Sequence, residues 1–385
     1  MTAATTRRGR LGAIPAPLDM SLVLATFVLL GLGVVMVASA SLHKIADAPL
    51  YFTLRHTVAI GLGLAGSALV LTIPVNQWER WSTTLYFVGL GLLIAVLIPG
   101  VGREANGAVR WISVGGFNLQ SSEFMKLFMM LYLAGYLQRR REEVAYSVWG
   151  FVKPMLLLVV AAALIMLQPD FGTTVVLMAT AMGMLFLGGV PLWQFSVLFA
   201  MATATMTTLI LLAPYRLQRV SSFIDPFDDP LNTDYQLSNA LIAFGRGEWF
   251  GVGLGNGIQK QFYLPESHND FLMAVIGEEL GFAGTLFVIL MFCLICWRAF
   301  SIGTSAERRD ARFAAYVAYG CGLWVGLQAF INLGVNLGLL PTKGLTPPLM
   351  SYGGNSVIVS CLVVAMLLRI HRENVASLRD KGGKW

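Results

Sequence analysis

A chain of 385 residues that is 56% hydrophobic and only 12% charged is too apolar for a soluble domain, where about 25% of residues carry charge. Its apolar residues come in long blocks rather than amphipathic stripes, which marks a polytopic membrane protein. The net charge of +6 fits the excess of Lys and Arg in cytoplasmic loops. Nucleic-acid binding has no support, because no basic stripe with interleaved aromatics lies outside the apolar blocks.

Residues 1–19 are polar and basic, and the first apolar block is too long for a signal-peptide core, so it reads as a retained span. Blocks of span length lie near 20–41, 56–73, 82–99, 123–137, 154–168, 173–189, 194–213, 271–297, 313–337 and 349–370. They predict an all-α polytopic membrane protein of ten transmembrane helices. One transmembrane domain would cover 20–370, with tails at 1–19 and 371–385. Most of the 27 basic residues, among them Arg139 to Arg141 and Arg308-Arg309, fall on the side of the N-terminus. Both termini are therefore expected in the cytoplasm. Cys293, Cys296, Cys321 and Cys361 all sit in apolar blocks and read as small core or lipid-facing residues.

Two outer segments break the pattern of short loops. Arg103 to Ser122 alternates polar and apolar residues around Gly115-Gly116, as a short hairpin or interfacial element would. Residues 214–270, between spans 7 and 8, are far too many for a passive connector. The glycine run GVGLGNG at 251–257 lacks the spacing and context of a dinucleotide fingerprint.

An ionisable group at bilayer depth costs ~2.5–3.5 kcal/mol on insertion scales, so each needs a reason. Glu123 and Lys126 open the fourth span at i and i+3, on one helix face. Two readings stay open: an ion pair at the membrane edge with Lys126 snorkelling outward, or an ammonium held in a cavity for an anionic headgroup. Pro169 ends the fifth span and Asp170 is expected to cap the next helix. The stretch PTKGLTPPLMSYGGNS at 341–356 cannot form a regular helix across lipid. It must be buried in protein or line a cavity, and Lys343 within it could meet phosphate.

PESHNDFLMAVIGEELGF at 265–282 gathers acids ahead of a span. Asp270 stands where a helix N-cap is expected, as does Asn269. Capping alone would lower its pKa and weaken it as a base. Burial, or carboxylates such as Glu266, would restore it. Glu278 and Glu279 are expected to be buried, hydrogen-bonded supports. His268 reads as a loop hydrogen-bonder rather than a metal ligand.

GAVRWISVGGFNLQSSEFMKL at 107–127, LQPDFGTTVVL at 167–177, YRLQR at 215–219 and YQLSNALIAFGRGEWFGVGLGNG at 235–257 resemble the SEDS family. So do the two stretches at 265–282 and 336–356, and the likeness runs over roughly residues 18–375. PTKGLT resembles the division-specific branch more than the elongation branch. The resemblance implies a peptidoglycan glycosyltransferase that polymerises lipid II into β-1,4 strands at the outer face of the cytoplasmic membrane, at the division septum. It implies a class B penicillin-binding protein, an FtsI-like transpeptidase, as partner, with other divisome membrane proteins. Asp270 would be the general base of an inverting displacement. Glu123, Lys126, Arg110, Arg216 and Arg219 would bind the anionic donor. A divalent cation, Mg or Mn, could assist at the pyrophosphate, but no clean ligand cluster marks its place. Ser121, Asn269, Asn355 and Pro348 depart from the family's usual residues, and none of these changes removes a charge. The alternatives are a lipid II flippase with the Glu123–Lys126 pair in its pathway, and a non-catalytic divisome scaffold.

Overall fold

The computed structural model describes residues 17–45, 47–105, 108–114, 117–211, 235–261, 263–341 and 344–381. Arg216, Arg219 and Lys343 lie outside these residues. In chain order the helices are α1 (Met20–Ser41), α2 (Tyr51–Thr72), α3 (Val75–Leu97), α4 (Ser121–Arg139), α5 (Arg141–Tyr146) and α6 (Val148–Met166). They continue as α7 (Phe171–Leu187), α8 (Leu192–Leu211), α9 (Tyr235–Gly247), α10 (Leu272–Glu307), α11 (Arg312–Asn336) and α12 (Gly354–Lys381). Each expected apolar block lies mostly on a helix. Seven of them, α1, α2, α3, α6, α10, α11 and α12, are long and apolar enough to cross a membrane.

The fold is not all helix. The segment ahead of α4 forms a three-stranded antiparallel sheet of β1 (Gly102–Ala105), β2 (Ala108–Val114) and β3 (Phe117–Gln120). The β2–β3 pair is the hairpin expected around Gly115-Gly116, with Val114 opposite Phe117. The strand β1 was not anticipated.

Two polar contacts lie near the two ends of the bundle. At one end Asp19 caps α1, accepting from the Leu22 amide at 3.2 Å, and also pairs with Arg298 of α10 at 2.5 Å. At the other end Ser39 of α1 donates to Glu279 of α10 at 2.8 Å. Twenty helical residues separate the two contacts on α1, or ~30 Å of rise, the thickness of a bilayer's hydrocarbon core. Helix directions bring Arg139–Arg141, Arg308–Arg312 and Arg369–Arg372 to the Asp19 end. The sheet, α9 and the start of α10 gather at the opposite end.

The span expected at 271–297 is not one continuous helix. Gly281 breaks α10 with φ 67° and ψ −164°, a region open essentially to glycine alone. The chain after α9 repairs the ladder. Glu248 and Trp249 carbonyls accept from Phe282 and Ala283 at 2.9 and 3.1 Å. In return Val252 and Gly253 donate to the Glu278 and Glu279 carbonyls at 3.0 and 3.1 Å. The glycine run therefore wraps a helix break rather than a nucleotide.

The last helix starts at Gly354, after an irregular segment, and runs past the expected boundary at 370 to Lys381. In that segment Leu345, Leu349, Met350 and Ser351 are buried, as irregular backbone at membrane depth must be.

The Gly281 break gives a first prediction. A Cβ there would lie 2.4 Å from the Gly251 amide nitrogen, and the backbone itself costs ~1–3 kcal/mol for other residues. Gly281→Ala should lower the thermal unfolding midpoint of the detergent-solubilised protein by several degrees. An unchanged midpoint would show that the break is not held as described.

Candidate active site

The carboxylate of Asp270 does not cap α10. The helix begins from Phe271 with no side-chain cap, and Asn269 turns instead to Glu266, donating at 2.5 Å. Among the described residues no donor reaches the Asp270 carboxylate. Its main-chain carbonyl is held instead, accepting from Asn332 and Asn336 of α11 at 2.8 and 3.0 Å. The side chain keeps partial exposure while protein packs round the rest. A Cβ on Gly344 would stand 3.1 Å from Asp270 Oδ2, so glycine at 344 leaves the carboxylate room. Burial, with the charges of Glu266 and Asp170 added, pushes this carboxyl up to about 7 against the pull of Arg110. That is the range in which a carboxylate works as a general base.

Arg110 reaches this neighbourhood through a β-bulge. Arg103 pairs with Trp111 and Glu104 with Val109, so Arg110 has no partner on β1. Bulges re-aim a side chain. Here the guanidinium donates to the Gln168 and Pro169 carbonyls at 3.0 and 2.6 Å. Two of its five N–H groups are used there, and the other three remain free for an anion among the described residues.

Asp170 does cap its helix, accepting from Thr173 at 3.2 Å. Its other oxygen takes the Ser122 hydroxyl at 3.0 Å. One carboxylate thus ties the start of α7 to the start of α4.

Lys126 pairs with Glu123 at 3.0 Å, as the spacing predicts, but it does not snorkel. Both side chains are buried. The ammonium also donates to Gln328 Oε1 at 2.9 Å and sits 4.9 Å from the Trp324 ring centroid. A cavity of about 10 Å³ beside it, lined by Thr180 and Met184 among others, has room for about one water. Gln328 in turn donates to the Thr346 carbonyl at 2.9 Å, which links the pair to the segment facing Asp270.

Glu278 and Glu279 are the buried supports expected. Glu278 accepts from Arg246 at 3.1 Å and from the amides of Ile258 and Gln259 at 2.8 and 3.1 Å. Glu279 takes Lys260 at 2.5 Å and the Gly255 amide at 3.1 Å. His268 is a hydrogen-bonder, as expected, with its Nδ1 2.9 Å from Lys44 Nζ. Burial first, then the charges of Lys44 and His43, pushes it down to about 3. It is therefore neutral and accepts from Lys44. Its ring packs against Phe52 and Tyr352, which also meet each other.

The structure thus brings Arg110, Asp170 and Glu266 within electrostatic reach of Asp270. Gln328 joins Glu123–Lys126 to the Thr346 main chain in the segment that faces Asp270. Glu278 and Glu279 belong to a separate network. Reading the sequence missed Gln328, Asn332 and Asn336, and the pairing of Arg246 and Lys260, two bases of the outer segment, with Glu278 and Glu279. Gln328, Asn332 and Asn336 stand at four-residue spacing in an apolar helix, which is the signal that would have found them. Among the described residues no three carboxylates, imidazoles or thiols come together to hold a metal ion.

A family model described as Cell cycle protein, for FtsW, RodA and SpoVE, matches residues 20–376. The chain belongs to this family. A relative from Allochromatium vinosum, named "Probable peptidoglycan glycosyltransferase FtsW", is 56% identical over 92% of this chain and 90% of its own. One of the same name from Thioalkalivibrio sulfidiphilus is 53% identical over 94% and 91%. A solved structure concerned with the structural coordination of polymerization and crosslinking by a peptidoglycan synthase complex is similar at TM-score 0.76. It is 31% identical, over 93% of this chain and 98% of that one. The rod shape determining protein RodA of Thermus thermophilus is similar at TM-score 0.69, 28% identical, over 93% and 97%.

The buried ion pair gives a second prediction. Removing one partner leaves an uncompensated buried charge, at a cost of ~3–5 kcal/mol. Lys126→Met or Glu123→Gln alone should lower the unfolding midpoint more than the double variant does. A double variant less stable than both singles would contradict the pairing.

Proposed function

We propose that the protein is a peptidoglycan glycosyltransferase that polymerises lipid II into β-1,4 glycan strands, with Asp270 as general base. The observation that carries this reading is a carboxylate packed in protein yet partly open and free of donors among the described residues, which burial raises to about 7, in a chain whose relatives bear that activity in their names. Asp270 takes the proton of the acceptor hydroxyl as that oxygen attacks the anomeric carbon of the donor. The bond to the lipid pyrophosphate breaks, and the single displacement inverts the α-linked donor. Arg110 offers its free N–H groups to the developing negative charge, the role cations play at departing phosphates. Lys126, neutralised by Glu123, acts from within the protein by anchoring through Gln328 the segment that faces Asp270. Arg216, Arg219 and Lys343 are proposed to complete the anion site.

Ten spans, with both termini in the cytoplasm and residues 214–270 outside, fit the basic clusters at the Asp19 end. A single domain over 20–370 and action at the septum belong to the same reading, as do a class B penicillin-binding protein and other divisome proteins as partners. Mg or Mn would enter on the pyrophosphate itself, since the described residues offer it no built cluster. The flippase alternative finds no support beside Lys126, where the space suits about one water.

The test is lipid II polymerisation by the full chain with its cross-linking partner. Asp270→Asn should abolish glycan strands while folding and inserting normally, and strands at the wild-type rate would overturn the reading. The wild-type kcat/KM should fall about tenfold per pH unit below 7, because the base must be ionised. Stability runs the other way. A carboxyl raised from about 4 when unfolded to about 7 destabilises the fold as pH rises between those values. Asp270→Asn should therefore melt above wild type at pH 8 and level with it at pH 4.

A further inference from the structure

The helix that carries Asp270 starts without a cap of its own. A neighbour supplies one. Asn336 of α11 presents Oδ1 to the Ala274 amide at 3.2 Å, and its Nδ2 donates to the Asp270 carbonyl at 3.0 Å and to the Asn332 carbonyl at 2.8 Å. Asn332, one turn earlier, donates to Asp270 O at 2.8 Å and to Leu345 O at 2.6 Å. Both amides are buried. Between them they fasten the main chain of residue 270 to the irregular segment whose Gly344 faces the carboxylate. Among the described residues no hydrogen bond holds the Asp270 side chain, so these contacts act on its placement through the main chain that bears it.

We propose that Asn332 and Asn336 are positioning residues: they fix the main chain of Asp270, and so the direction of its carboxylate, from a neighbouring helix. This rests on the reading of Asp270 as the base. Each amide makes two or more bonds that no aliphatic side chain reproduces. A slack main chain at 270 would let the carboxylate swing and hydrate. Near-attack geometry would be lost, and a misplacement of about 1 Å costs on the order of 100-fold in rate.

The variants are Asn332→Ala and Asn336→Leu, made in the full chain and assayed on lipid II with the partner present. Asn336→Leu keeps the branched side-chain shape and removes the bonds to Asp270 and Ala274 without adding a charge, so it decides the matter if Asn332→Ala fails to fold. The proposal expects kcat to fall by about 10- to 100-fold with KM for lipid II within about twofold. It also expects the acid limb of the pH profile to move below that of wild type, as the freed carboxylate gains water. Wild-type kcat in the folded variants overturns the proposal. So does a lower rate with the acid limb unmoved, which is what a general loss of folded protein would give. An inactive Asp270→Asn beside fully active Asn variants defeats the positioning role alone. An active Asp270→Asn defeats the parent reading instead.

Discussion

A backbone carbonyl that leaves the helical ladder at bilayer depth must find its partner inside the protein, and this constraint organises the site. Three departures from helix meet near the same end of the bundle: the break at Gly281, the segment 344–353, and the turn that carries Asp270. Each is answered by a specific donor set. The chain after α9 bonds across the break. Gln328, Asn332 and Asn336 answer the carbonyls of Thr346, Leu345 and Asp270. Arg246 and Lys260 answer the two glutamates. Buried charge and irregular backbone are expensive in lipid, and here they are concentrated where a polar reaction can use them.

The same constraint resolves a conflict over Asp270. As a helix cap it would be held ionised by amide donors and be a poor base. The structure transfers capping to Asn336, which reaches the Ala274 amide from the next helix. Asp270 is left among acids, with Arg110 as the counterweight in charge among the described residues. Asp170, a few contacts away, shows the contrary arrangement: it caps α7 and accepts a hydroxyl as well. Two aspartates in one neighbourhood thus take different work because one is bonded through its side chain and the other through its main chain.

What was legible in the sequence was local. Hydropathy marks the apolar blocks, the i, i+3 spacing of Glu123 and Lys126 gives their pair, and a polar residue after Pro169 gives the cap at Asp170. The buried role of Glu278 and Glu279 follows from their depth in an apolar run, though their partners do not. What was hidden depends on chain brought from elsewhere. Nothing in α10 alone reveals that residues 248–253 will repair its ladder at Gly281. The aim of Arg110 comes from a register shift between two strands. The cap of α10 lies 62 residues further along the chain, in Asn336. Local propensity made Asp270 a cap, and tertiary structure overrode it.

The central claim is that the fold keeps the Asp270 carboxyl protonated up to neutral pH without bonding it. The direct measurement is its own titration, read from the carboxyl stretch in infrared difference spectra of wild type against Asp270→Asn in membranes. A midpoint near 7 is the result this account predicts. A midpoint near 4, the ordinary value of an aspartate in water, would contradict it.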